Sequence, residues 1–368
     1  MNLLVAFLIF TAAAYAQRHP AAEIDPRTPD GALLTKALQE NDPSQKTAIL
    51  EQFSTQYPKS PSAPWALDTL QAIYVKAGQY DKIVATGEKL LALDPEDPES
   101  ALQNLKAVEA LKDLPGIRKW SALASTNARK MAATPQPKDP ADVESWKSDV
   151  SYAKQVDTYT EYALFRVALE NSARDPKVTL EFAEVLEARN PDSPYMAQTR
   201  TAQFVAYRQT GANDKAVALA ERVLATDQSN EDMLMVVADD YATHQKEPSK
   251  VHEYTSRAIA VMAAKPAPAG MSEADWTARR NNLTGLAHYL SGKLYYGDKN
   301  YPDTDRELRA ALPLMDAALK AEVLFMLGDA NFNLKKPQEA VTYFRACAAL
   351  PGPMQAQATK NLQALKAK

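Results

Sequence analysis

Residues 321–351, AEVLFMLGDANFNLKKPQEAVTYFRACAALP, give the strongest indication of how this chain folds. Both halves of the stretch carry apolar residues at the three- and four-residue spacing of an amphipathic helix, and the polar turn Lys335-Lys336-Pro337 separates them. Gly328 and Ala340 are small residues at the positions where two such helices would touch, and Phe344 is placed to fill the space between hairpins. The proline that closes the stretch stops the second helix. The pattern predicts one helical hairpin.

The same spacing recurs upstream, which makes the hairpin a repeat. Four sets share one pattern, in which a small or apolar residue early in the second helix follows the first member by nine positions and precedes the third by seven. The sets are Tyr74, Ile83 and Leu90; Tyr207, Ala216 and Val223; Tyr295, Thr304 and Ala311; and Asn331, Ala340 and Cys347. One hairpin cannot bury its apolar face alone, so neighbouring hairpins must stack.

These units resemble the tetratricopeptide repeat, whose hairpins of about 34 residues carry small residues at helix crossings, an aromatic residue in the first helix and a proline after the second. Leu324 to Gly328, continuing to Ala340 and Phe344, is the best match, and Gly78 to Pro95 follows. The resemblance implies an all-α, right-handed superhelical solenoid of about seven hairpins, plus a less regular pair at 31–57 and a C-terminal capping helix.

Two proline-rich interruptions divide the repeat region, at 133–143 and at 265–270. Proline breaks helices, so each interruption is either a hinge or a long connection. The predicted organisation is a disordered mature N-terminus at 17–30, hairpins at 31–132, a loop at 133–143, hairpins at 144–264, a break at 265–270, hairpins at 271–353 and the capping helix at 354–368.

The first residues have the pattern of an export signal. An apolar run from Leu3 to Ala14 ends in Ala14-Tyr15-Ala16, the small-x-small pattern that signal peptidase cuts. The run of about 12 residues is shorter than the roughly 20 that a membrane-spanning helix needs. We therefore expect a signal peptide at 1–16, a periplasmic or secreted protein, and no direct membrane span after cleavage.

A second resemblance concerns the cell envelope. Phe53 to Pro61, followed by a repeat, is similar to exported tetratricopeptide proteins of the bacterial outer-membrane assembly and cell-envelope type. The chain departs from the assembly lipoproteins because it has no cysteine near Ala16 to carry a lipid anchor. Its single cysteine, Cys347, is predicted to be a small buried thiol.

Neither composition nor motifs indicate catalysis, a cofactor or nucleic-acid binding. The 42 Lys and Arg residues face 46 Asp and Glu residues, so there is no basic excess to neutralise a phosphate backbone. Zinc sites need three or four ligands, and the four histidines are scattered, although His244 and His252 flank a turn at Glu247-Pro248. The sequence has no glycine-rich phosphate loop and no nucleophile elbow.

In this repeat family the first helix of each hairpin lines the concave groove, so the resemblance implies a set of partner-binding positions. They are Arg208, Tyr289, Lys293, Tyr296, Phe325, Asp329, Phe332 and Asn333. Equivalent positions upstream are Trp65, Asp68, Ala72, Lys76, Thr201, Val205 and Gln209. Aromatic residues beside single charges suit a groove that anchors a peptide, and the alternative for each residue is packing between hairpins.

We interpret the sequence as a non-catalytic scaffold or adaptor of the cell envelope that holds an extended or helical segment of a partner protein. The alternative is a binder of small molecules or glycans in which Tyr289, Tyr296 and Trp276 provide stacking surfaces. Self-association through uncapped ends is a third interpretation.

Overall fold

The computed structural model describes residues 18–268 and 270–366, and the signal peptide predicted at 1–16 lies outside them. Every regular element of this part of the chain is a helix, which confirms the predicted all-α class. The seventeen α-helices are α1 (Pro29–Gln39), α2 (Pro43–Gln56), α3 (Ala63–Ala77), α4 (Tyr80–Leu93), α5 (Pro98–Leu111), α6 (Leu114–Ala132), α7 (Val143–Asn171), α8 (Pro176–Arg189), α9 (Met196–Gln209), α10 (Asn213–Leu224), α11 (Glu231–Thr243), α12 (Pro248–Ala264), α13 (Glu273–Gly297), α14 (Tyr301–Ala311), α15 (Ala317–Asn333), α16 (Pro337–Ala348) and α17 (Gln355–Lys366).

An Asp-Pro pair starts several of these helices. Asp42, Asp97 and Asp175 each accept hydrogen bonds from backbone N–H groups of the first turn, and a proline follows each of them as the first helical residue. The carboxylate satisfies N–H groups that have no partner inside the helix, and proline loses nothing at a position whose N–H would be unpaired. The high proline content is therefore compatible with an all-helical chain.

The described residues form two compact units, with the boundary between Thr210 and Gly211. Both proline-rich interruptions lie inside a unit rather than at this boundary. The first interruption is tied to α7, because the Trp146 indole N–H donates to the Thr134 carbonyl at 2.8 Å.

Helices pack against their neighbours in chain order within each unit, and the odd-numbered helices also contact one another. These additional contacts join α3 to α5, α5 to α7 and α7 to α9 in the first unit, and α11 to α13 and α13 to α15 in the second. We call the surface that the odd-numbered helices form in each unit the odd-helix face. It corresponds to the first helices of the predicted hairpins.

The first member of each repeating set contacts the even-numbered helix before it. The contacts are Tyr74 Oη to Glu51 Oε1 at 2.5 Å, Tyr207 Oη to Glu184 Oε1 at 3.2 Å, the Tyr295 ring stacked 4.0 Å from the His252 ring, and Asn331 Nδ2 to Asp305 Oδ1 at 2.7 Å. A polar residue at this position thus joins one hairpin to the preceding one.

The hairpin at α15 and α16 has the core that the sequence predicts. Phe344 is 2% exposed and its ring lies against Gly328, where an added Cβ would come within 2.7 Å of the ring. Cys347 is fully buried and its thiol lies 3.3 Å from the Ala321 carbonyl, so the prediction of a buried thiol is confirmed. Helix α17 caps this core, since Leu362 packs against the same cluster.

The N-terminal segment differs from its prediction. Disorder is predicted for 17–30, but Ala21 and Ile24 pack against the core of the first helices, and α1 already begins at Pro29. The reason is tertiary, because the Ala22 N–H donates to Ser62 Oγ, which lies 40 residues along the chain.

The Tyr74 contact gives a test of these inter-hairpin bonds. Tyr74→Phe is expected to lower the free energy of unfolding of the first unit by about 0.5–1 kcal/mol, since the accepting Glu51 carboxylate is 44% exposed. Hydrogen bonds from Tyr74 and Lys82 hold the pKa of Glu51 below its ordinary value of 4.5. A lowered pKa in the folded state contributes stability above that value, and the contribution is lost as the pH falls through the folded pKa.

We therefore expect the stability difference between wild type and Tyr74→Phe to shrink below about pH 4.5 in urea titrations. Tyr80→Phe, at a ring that is 42% exposed on α4, is the matched control and should leave stability unchanged. A difference that stays constant down to pH 3 would contradict the role given to Glu51.

Candidate partner-binding face

Helices α13 and α15 bring most of the predicted groove residues onto one odd-helix face. The Tyr289 hydroxyl of α13 donates to Glu322 Oε2 of α15 at 2.9 Å, and the Tyr296 hydroxyl donates to Asp329 Oδ2 at 3.0 Å. Both pairs are 33 residues apart, so the two contacts join α13 and α15 with the same offset. Lys293 adds an ion pair with Glu322 at 3.0 Å.

Tyr289 is buried, so it holds α13 to α15 and does not contact a partner. Its side chain is 5% exposed, so the ring cannot contact a ligand, and its hydroxyl serves the bond to α15. Burial raises the pKa of this hydroxyl, which keeps it protonated as a donor. Trp276 is 2% exposed. The prediction that Tyr289 and Trp276 are stacking surfaces is therefore wrong, because neighbouring helices cover both rings.

Phe332 is the exposed apolar side chain of this face. It is 43% exposed and lies one turn after Asp329. Lys293 and Asn333 are also exposed, while the half-buried Phe325 packs edge-on against Phe344 at 5.7 Å and belongs to the hairpin interior. We call Lys293, Tyr296, Phe332 and Asn333 the α13–α15 face.

Arg208 belongs to a different unit from the predicted groove residues of α13 and α15. It is on α9 in the first unit, where Thr201, Val205 and Gln209 are exposed with it. At the other predicted positions of this unit, Trp65 is buried and Asp68 is half-buried. The two remaining positions, Ala72 and Lys76, are exposed.

A charged cluster that the sequence does not predict lies between α5 and α7. Glu109 accepts hydrogen bonds from the Tyr159 hydroxyl and from Arg166 Nη2, both at 2.8 Å, and Lys106 Nζ lies 5.5 Å from the centre of the Tyr159 ring. Burial raises the pKa of Glu109, and the Tyr159 and Arg166 donors oppose that rise. No local motif marks these residues, since the donors are 50 and 57 positions from Glu109.

The histidines have separate neighbours. His244 Nδ1 lies 3.0 Å from Asp240 Oδ1, His252 Nδ1 lies 2.7 Å from Ser291 Oγ, and His288 Nδ1 lies 2.8 Å from Glu307 Oε2. Within residues 18–268 and 270–366, no three His, Cys, Asp or Glu side chains are grouped so that they could hold a metal ion. In the same part of the chain, no helix is both long and apolar enough to cross a membrane.

Stacked hairpins whose first helices share one face define an α-helical repeat protein. Residues 321–351 match the family model of the tetratricopeptide repeat, at the hairpin of α15 and α16. This hairpin is thus a tetratricopeptide repeat.

The solved structures that match this chain have low sequence identity and low TM-scores to it. Yeast Tom70 is 12% identical at a TM-score of 0.24, and the match covers 93% of this chain and 96% of Tom70. The P58(IPK) TPR domain is 13% identical at a TM-score of 0.26, covering 92% and 98%. Human IFIT1, as a dimer with m7Gppp-AAAA, is 14% identical at a TM-score of 0.28, covering 90% and 75%. No curated protein matches the chain. At these scores the superpositions carry no inference about a ligand.

Proposed function

We propose that this protein is an exported, non-catalytic interaction scaffold that holds a peptide or helix of a partner protein on the α13–α15 face. Tetratricopeptide repeats present extended surfaces for such binding. The observation that carries the proposal is the exposed Phe332 ring beside polar groups that are fixed by contacts between α13 and α15. A fixed surface loses little conformational entropy when a partner binds.

The chemistry of the face indicates the kind of segment it would take. Phe332 offers a large apolar contact at low entropic cost. On the same two helices, one cation, Lys293, and two carboxylates, Glu322 and Asp329, leave an excess of negative charge. A segment with one apolar anchor beside a basic residue complements these groups.

The proposal includes the cellular location of the protein, which is the periplasm. The apolar run and the small-x-small pattern at 1–16 support export, and the similarity of Phe53 to Pro61 to envelope proteins supports the periplasm. A protein partner is favoured over nucleic acid because the chain has a net charge of −4.

Phe332→Ala is expected to weaken partner binding by about tenfold or more, because a buried aromatic anchor contributes about 2 kcal/mol or more at an interface. The protein would be recovered from the periplasmic fraction, its N-terminus sequenced, and partners captured with residues 17–368 and then titrated as purified proteins. Export predicts a mature chain that begins at Gln17.

Leu93→Ala is the control, since Leu93 is 44% exposed on the even-numbered helix α4. It should bind the partner as wild type does. If both variants bind equally well, the α13–α15 face is not the binding site. Thermal stabilisation by envelope sugars, without any protein partner, would favour the glycan alternative instead.

A further inference from the structure

The N-terminal segment, residues 18–22, lies against the starts of α3 and α5 as a bound peptide would. The Ala22 N–H donates to Ser62 Oγ at 2.9 Å, and the Ser62 hydroxyl lies 3.4 Å from the Ala22 carbonyl oxygen. Ser62 has no exposed surface. One buried hydroxyl therefore contacts both backbone polar groups of a non-helical residue.

Arg18 joins this segment to two carboxylates. Its Nη2 lies 2.5 Å from Asp68 Oδ1 of α3, and its Nη1 donates to Asp97, the capping residue of α5. The Asp97 side chain is 4% exposed. Burial opposes ionisation of Asp97, but His19 and Arg18 hold its pKa below the ordinary value. Charge-assisted bonds of this kind are about twice as strong as neutral ones.

The segment does not neutralise all the acidic groups around it. Asp68, Asp94, Asp97 and Glu99 surround the segment, and its permanent cation is Arg18. Lys106 is a second cation that acts on Glu99.

Glu99 is 7% exposed, and its Oε2 atom has no hydrogen-bond partner in the described structure. A buried carboxylate oxygen without a donor is costly, so a ligand that supplies further donors gains free energy here.

We propose that Ser62, Asp68, Asp97 and Glu99 form a receptor for a basic peptide, and that residues 18–22 of the same chain cover it until such a peptide displaces them. The occupant is a non-helical segment of a partner protein with an arginine near small residues, as in the covering segment itself. The receptor lies in the first unit, so it is independent of the α13–α15 face.

The test is displacement by a peptide in trans. A fluorescent peptide of residues 17–25 is titrated into residues 23–368, which lack the covering segment, and into residues 17–368. We expect the peptide to bind the shortened chain at least tenfold more tightly, since its own segment no longer competes. Arg18→Ala in residues 17–368 should open the receptor in the same way. This variant replaces the shortened chain in the titration if the shortened chain does not fold.

Substitutions in the receptor separate recognition from folding. Asp68→Asn and Asp97→Asn should each weaken binding of the peptide at least tenfold, and asparagine at position 97 retains the ability to cap α5. Asp81→Asn on α4 is the matched control and should bind normally. Equal binding to the covered and uncovered chains, or no binding to either opened form when both are folded, would overturn the proposal.

Discussion

Phe344→Ala is expected to lower the free energy of unfolding of the second unit by about 3–5 kcal/mol, the usual cost of emptying a fully buried aromatic site. Phe344 is 2% exposed, contacts Gly328 and Phe325, and belongs to the same core cluster as Ala358 of the capping helix α17. These contacts join α15, α16 and α17, so the cavity would loosen all three. The measurement is hydrogen exchange of the amides of α15 and α16, together with urea unfolding.

Phe332→Ala is the matched control, because the same side chain is removed from the same hairpin at a position that is 43% exposed. It should change the free energy of unfolding by less than about 0.5 kcal/mol. Equal effects of the two substitutions would mean that Phe344 does not fill the core in the way described.

Gly87→Ala is expected to destabilise the first unit by about 2–4 kcal/mol, through overpacking and the loss of buried hydrogen bonds. Gly87 lies in α4, where an added Cβ would come within 2.2 Å of Asn104 Oδ1 and 2.4 Å of Gln71 Nε2. Those two amides are hydrogen-bonded to each other at 3.0 Å and are buried between α3 and α5. The added methyl group would force them apart, leaving polar atoms without partners.

Gly297→Ala provides the comparison, because a Cβ at this last position of α13 meets nothing within 4 Å. It should be neutral or stabilising by up to about 1 kcal/mol, since alanine restricts the unfolded chain. Both variants are measured by urea unfolding, and Gly87→Ala also by hydrogen exchange of α3 to α5. Wild-type stability of Gly87→Ala would show that the amide pair can be rearranged at no cost.

The recurring hairpin could be predicted in detail, and its physical basis is local. Gly328, Ala340 and Phe344 occupy the places expected of them, and the position shared by Tyr74 and Asn331 contacts the preceding helix. The candidate face was predicted only in part. Tyr296, Phe332 and Asn333 lie together as expected. Tyr289 is instead buried against α15, so its ring is not available to a partner.

The helices and the repeat follow from local sequence, because apolar spacing, capping residues and prolines act within one or two turns of the chain. Which of the repeated positions are buried depends instead on contacts between hairpins. The burial of Tyr289, the Glu109 cluster and the docking of Arg18 on Asp97 each depend on partners 33 to 79 residues away. No short-range pattern encodes such contacts, since they arise when successive hairpins stack.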